Sequence, residues 1–277
     1  MKKERRSFRP LSPVKYAVLI LLTVLMAAPV YVVAMMGTYK SERLFLGIPW
    51  LPGNYLAENV RTTLSHGFLR SVMNSAVVSI GAVLLTVFCA SLCGYALARY
   101  EFRGKRLITM LLIVLLVIPT EISVVGYVRE MRSLHLTGSY LSLILIWGAN
   151  PFCAYFIHSF TVDAFPSEIM ESARIDGCSD PGIFARLAFP MMRPGITTIV
   201  ILIFLWSWNS YMLPLIIVNT DRRYTIPLFV STLSSAFTRD YGAIMCALAM
   251  SILPMLLLFT IFSGSFMESI SAGALKG

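Results

Sequence analysis

The chain has 277 residues, of which 57% are hydrophobic and only 13% charged, with a formal net charge of +9. Soluble domains carry about 25% charge, so this composition excludes an ordinary water-soluble fold and points to an integral membrane protein. The positive charge is no nucleic-acid signature, because the basic residues stand at the ends of apolar segments rather than on one face.

Residues 1–14 form a basic tail with Pro10 and Pro13. Residues 15–277 are read as one transmembrane domain. Five runs lack Asp, Glu, Lys and Arg: Tyr16–Tyr39, Ser71–Ala98, Ser133–Val162, Pro194–Thr220 and Tyr241–Met267. A sixth, Leu107–Val128, is interrupted only by Glu121. Each is long enough for a helix through a hydrocarbon core of about 30 Å, which takes roughly 20 residues. Backbone groups in lipid must be satisfied within the segment, and the alternating strands of a barrel are not visible. The expected fold is therefore all-α, with six transmembrane helices. The first run is too long for the apolar region of a signal peptide and is read as a retained helix.

The loop 38–70 contains Pro49-Trp50-Leu51-Pro52-Gly53-Asn54-Tyr55, a turn-rich stretch of interfacial character. Helix three carries Pro119, helix four a break at Asn150-Pro151, helix five Trp206, Trp208, Asn209 and Pro214, and helix six Pro254. If both termini lie in the cytoplasm, the larger share of Lys and Arg falls inside, including the dense Arg99–Arg106 loop. Cys89, Cys93, Cys153 and Cys246 lie in spans and Cys178 in an inner loop, so no external disulfide is expected. Cys89 and Cys93 are one turn apart, but no histidine or second pair accompanies them. They are read as small packing residues, and no metal site is expected.

Between helices four and five, at about residues 163–195, lies a charged island: Glu171-Ser172-Ala173-Arg174-Ile175-Asp176-Gly177, closed by Phe189-Pro190. Pro166-Ser167 suits a helix start with Glu168 in its first turn. Gly177 suits the left-handed stop. Asp180-Pro181 reads as a cap followed by proline at the first helical position, and Pro190 opposes continuation. The result is a helix–turn–helix outside the membrane, though local patterning fits an ordinary amphipathic surface loop equally well.

The island resembles the "EAA" coupling motif in the membrane subunits of ABC importers, with Ser172 in the second position and Phe189 before the proline. The resemblance runs from Asn74 to the last residue. Asn74-Ser75, Gly94-Tyr95-Ala96-Leu97-Ala98-Arg99 and Phe102-Arg103-Gly104-Lys105 look like the second-helix region of carbohydrate ABC permeases such as the maltose-transport pair. Ser207-Trp208-Asn209, Pro214-Leu215 and Tyr224-Thr225-Ile226-Pro227-Leu228 look like the fifth-helix region, and Ala272–Gly277 like the usual ending. His158-Ser159 departs from a common Arg-Gln pair, and Ser263-Gly264-Ser265 from a more polar stretch.

The resemblance implies a permease subunit for a sugar or oligosaccharide in a bacterial inner membrane, multi-pass with both ends cytoplasmic. It implies a second, homologous permease chain, two cytoplasmic ATPases that bind ATP and Mg, and an extracytoplasmic solute-binding protein. It places ATPase coupling at Glu171, Ser172, Ala173, Asp176 and Gly177. The chain itself has no phosphate loop, no H-E-x-x-H and no G-x-S-x-G, so no catalytic residue or cofactor is expected in it. A non-sugar solute is the nearest alternative. An integral-membrane enzyme lacks a cluster of catalytic side chains, and an ion-coupled carrier lacks intramembrane charge and repeat-related broken helices.

Polar side chains at membrane depth mark candidate path residues. Glu121 could line a cavity or snorkel to the surface. Asn209 could hydrogen-bond a hydroxylated solute or tie helices together. Trp208 and Tyr211 could stack on a sugar face, or the tryptophan could fill core.

Overall fold

In the computed structural model the structure describes residues 12–233 and 240–274, with the side chains of residues 120, 121 and 263–274 outside the description. The chain forms two units: one of residues 1–66 and 233–250, the other of residues 67–232 and 251–277.

The first unit is built on α1 (Pro13–Met36), a helix begun by proline at its first turn. A 3-10 turn, Ser41–Phe45, and α2 (Leu56–Ser65) follow. The side-chain amide of Asn59, on α2, donates to the carbonyls of Gly37 and Tyr39 at 2.8 and 2.9 Å. Thr63 donates to the Ala243 carbonyl at 3.2 Å. Asp240 opens the last helix by accepting from the Ala243 amide, and it also receives the Ser41 hydroxyl. These bonds satisfy backbone groups that helix ends leave open.

The second unit surrounds α3 (Phe68–Arg99). After it come α4 (Lys105–Val117), α5 (Thr120–Ser133), α6 (Tyr140–Gly148) and α7 (Pro151–Ala164). Next are α8 (Ser167–Ile175), α9 (Asp180–Ile183), α10 (Phe189–Met191) and α11 (Arg193–Trp208). Then follow α12 (Met212–Ile217), α13 (Ile226–Thr232) and α14 (Tyr241–Ala274), whose first part belongs to the other unit. α6, α7 and α11 line up along α3. Their shared core includes Ala82, Ala90, Cys153, Ile157, Ile199 and Ile203. A Cβ on Gly94 would come within 2.7 Å of the α7 backbone at His158, so only glycine allows α3 and α7 this close.

Among the described residues, four stretches are long and apolar enough to cross a membrane: α1, α3, Tyr140–Ala164 and Tyr241–Phe262. The number is six if each of two bent pairs is one span. Two of the runs expected as continuous helices are broken, and a third breaks where Asn150-Pro151 marked it. Leu107–Val128 is divided between α4 and α5 at Pro119, and Lys105–Val117 lies at 111° to Ile122–Ser133. Ser133–Val162 is divided at Ala149-Asn150, ahead of Pro151. Pro151 has no N–H to offer the Trp147 carbonyl, and the Thr86 hydroxyl of α3 donates to that carbonyl at 2.8 Å instead. Pro194–Thr220 is divided at Asn209–Tyr211. The loop 38–70 is also more ordered than its turn residues suggest, since it holds α2.

Candidate functional site

The charged island forms a hairpin. α8 ends in a left-handed Gly177, φ +78°, with the Cys178 amide bonded back to the Ala173 carbonyl and the Gly177 amide to that of Arg174. This is the glycine stop expected from the sequence. The second arm starts one residue earlier than expected, with Ser179 at the cap and Asp180 the first helical residue. It also continues through Pro190. Phe184–Ala188 is a wide π-turn, with the Phe189 amide bonding to the Phe184 carbonyl, which lets the helix accept the proline. Asp180–Met191 then meets α11 at a bend of 74°.

The hairpin is mounted on the C-terminal end of α3. The Tyr95 ring lies 5.2 Å from Phe184, 5.7 Å from Tyr100 and 6.1 Å from Phe165. Its hydroxyl approaches the Met170 sulfur at 3.8 Å. The Arg99 guanidinium donates to the Thr161 and Val162 carbonyls at 2.8 and 2.9 Å, closing the end of α7. Arg174 spans the two arms, bonding Asp180 at 3.0 Å and lying 5.8 Å over Tyr100. The hydrogen bond to Asp180 raises the Arg174 pKa above its ordinary value.

Of the predicted coupling residues, Glu171, Ser172, Asp176 and Gly177 are exposed, while Ala173 is buried against the core beside Met170. Ser172 turns its hydroxyl back to the Glu168 carbonyl. Glu168, Ser172, Asp176 and Leu187 line an open groove between the arms. Ile175 stands out at the tip, 87% exposed. The hairpin thus offers an acidic rim and one apolar knob.

The predicted path residues do not form one cluster. Trp208 is buried, stacked on Phe204 at 5.2 Å, with its ring N–H donating to the Ser251 carbonyl at 3.3 Å. Asn209 is exposed where α11 ends; its amide donates to the Leu205 carbonyl at 2.8 Å and lies 3.9 Å from the Met255 sulfur. Tyr211 is 40% exposed in the same break. The side chain of Glu121 lies outside the described residues.

Sequence reading missed the role of Asn74 and Ser75, quoted there only for resemblance. The Asn74 amide donates to the Arg222 and Tyr224 carbonyls at 3.0 and 2.9 Å, and its oxygen accepts from Tyr140 at 2.8 Å. The Ser75 hydroxyl accepts the Ile226 amide at 2.8 Å. One turn of α3 therefore holds the 222–226 loop by its backbone. A polar pair inside an apolar run was the available signal.

Residues 87–267 match the family described as the binding-protein-dependent transport system inner membrane component. The chain belongs to this family. The match takes in the whole hairpin, α11 and α12. This inner membrane component is 31% identical over 210 residues to the arabinooligosaccharides transport system permease protein AraQ of Bacillus subtilis, covering 76% of this chain and 74% of that one. It is 30% identical over 277 residues to the diacetylchitobiose uptake system permease protein NgcG of Streptomyces coelicolor, covering 98% and 91%. Its fold is that of a chain in the crystal structure of a bacterial ABC transporter that imports alginate. That likeness has a TM-score of 0.78 at 17% identity, over 91% of this chain and 95% of that chain. The family is one of transport components rather than enzymes, and its description ties each member to a binding protein and a larger transport system.

Proposed function

We propose that this permease carries a sugar or oligosaccharide inward and is driven through the Glu171–Pro190 hairpin. The observation that carries the coupling reading is the mounting of the hairpin. Its inner face is packed on Tyr95 and Phe165, while Glu171, Asp176 and Ile175 are exposed, with nothing among the described residues to meet them. An apolar knob inside a polar rim fits a protein partner. The solute class is supported by the relatives, whose names specify arabinooligosaccharides, diacetylchitobiose and starch degradation products.

Two cytoplasmic ATPases would supply ATP and Mg, a second homologous permease chain would complete the path, and both termini would lie in the cytoplasm. ATPase closure would displace the hairpin. The 74° bend joins the hairpin directly to α11, so its movement is passed to the broken segment at Asn209–Tyr211. This is a rigid-body switch between two packings. Asn209 and Tyr211, exposed in that break, are the residues placed to meet hydroxyls and a sugar face; buried Trp208 supports them from behind.

The test is reconstituted uptake with ATPase association measured in parallel. Glu171→Lys is expected to insert normally, bind the ATPases more weakly and lose uptake. Normal uptake with unchanged association overturns the coupling assignment. Binding of sugars by the cognate binding protein tests the solute class separately.

A further inference from the structure

The stretch from Leu46 to Leu51 in the first unit has no part in the transport reading and lies outside the residues that match the family. It is apolar and bare: Leu46 is 83% exposed, Ile48 61%, Trp50 64% and Leu51 73%. Yet it is held in place. The Tyr31 hydroxyl donates to the Trp50 carbonyl at 2.5 Å, and the Tyr39 hydroxyl donates to the Leu51 carbonyl at 3.0 Å. The Gly53 amide donates to the Thr38 hydroxyl at 2.6 Å, and the Tyr55 amide to the Thr38 carbonyl at 2.9 Å.

Two features fix what surrounds this strip. The first is depth. Tyr31 lies five residues before the end of α1, which at 1.5 Å per residue is about 8 Å back along the span. The loop therefore folds down beside α1 rather than standing away from it, and the Trp50 carbonyl is brought back within reach of the Tyr31 hydroxyl. The second is the treatment of its backbone. A loop in water leaves its carbonyls to the solvent. Here the carbonyls of Trp50 and Leu51 are taken by tyrosine hydroxyls, and Pro49 and Pro52 have no N–H to satisfy. Those two carbonyls are thereby paired within the protein, as backbone close to the hydrocarbon core requires. The charged residues Lys40, Glu42 and Arg43 precede the strip in the sequence.

We propose that Leu46–Leu51 is a membrane-interface anchor, a tethered loop whose exposed side chains are seated in the headgroup–acyl boundary of the leaflet where α1 ends. Tryptophan is enriched at that level because its ring is amphipathic. The occupant of the surface is phospholipid, and the loop fixes the height of α1 in the bilayer.

The test uses the assembled transporter in phosphatidylcholine vesicles, with bromine placed either near the top of the acyl chains or near their ends. The tryptophan emission of the wild type minus that of Trp50→Phe isolates Trp50. The expected result is loss of this difference signal with the shallow bromine, a smaller loss with the deep bromine, and little quenching by aqueous iodide. Quenching by iodide and not by brominated lipid places the strip in water and overturns the proposal. Quenching by neither means that protein, either the second permease or the binding protein, covers the strip, and this overturns it equally. A second variant, Ile48→Trp with Trp50→Phe, moves the reporter along the strip and must show the same lipid-dependent loss. The measurement reads no transport, so it stands or falls apart from the sugar assignment.

Discussion

The two ends of α3 are held by opposite means. At Tyr95 the helix meets the hairpin mainly through rings and a sulfur, with the tyrosine hydroxyl 3.8 Å from Met170. At Asn74 and Ser75, about 32 Å away at 1.5 Å per residue, it meets the 222–226 loop through hydrogen bonds to backbone atoms. Ring packing has no strict direction and allows small displacements. Amide-to-carbonyl bonds fix both position and angle. Under the proposed coupling, the Tyr95 end has to transmit movement, and the loop-holding end has to resist it. The chemistry of each end suits that division.

The comparison can be broken at either end. Tyr95→Ala should have the largest effect, about 3 kcal/mol from the loss of a buried aromatic ring, together with loss of ATP-dependent uptake. Tyr95→Phe should keep both stability and uptake, because shape rather than the hydroxyl holds the hairpin. Denaturation in detergent and reconstituted uptake check the pair. If Tyr95→Phe is as damaging as Tyr95→Ala, the end is not held by packing.

Asn74→Leu reverses the logic. It keeps the branched shape but leaves the Arg222 and Tyr224 carbonyls without the amide, at a cost of about 2 kcal/mol. Lower complex yield and a lower melting temperature are expected, while the uptake of whatever assembles remains normal. Retained stability would show that the 222–226 loop is held by other contacts.

Thr86→Val is expected to cost about 1 kcal/mol, because the Trp147 carbonyl loses its hydroxyl partner beside Pro151. The effect should appear in thermal unfolding and not in ATPase association. The smallest effect is expected from Asn209→Ala. An average interhelical hydrogen bond in a membrane is worth about 0.6 kcal/mol, so assembly should hardly change while uptake falls. Equal losses of uptake and yield would make Asn209 a helix tie instead of a path residue.

How much of this was legible in sequence depended on the range of the signal. The hairpin could be read because Pro166, Gly177 and Asp180-Pro181 act through their own backbone within a few residues. The break before Pro151 was visible for the same reason. The π-turn was not, since proline in a helix warns of disruption without saying that one wide turn will absorb it. α2 was hidden because its charged residues, Glu58 and Arg61, exclude it from any search for apolar runs. The path set was the least legible. Depth along a helix follows from counting residues, whereas facing does not when nearly every side of the helix is apolar. Trp208 and Asn209 are neighbours in sequence, yet one is buried and the other exposed. Ala173 belongs to a motif otherwise turned outward and is itself buried, because α8 must pack one face on Tyr95 and Phe165.

The wide turn at Phe184–Ala188 also sets a rule about chain length. Ile183 and Ala188 are both buried although five residues separate them, and Met192 follows after four. An ordinary helix would place the fifth residue off that face by about 140°, since each residue advances about 100°. The extra residue resets the phase, so that both stretches of the arm keep one side toward the interior. Deleting one exposed residue here would bring Ile183 and Ala188 to four-residue spacing, which an ordinary helix keeps on one face. The narrow turn would return, and with it the clash of Pro190 with the carbonyl four residues before it. Exposed Ala185 and Arg186 should therefore tolerate exchange for many other residues, while shortening should strain the arm at the proline.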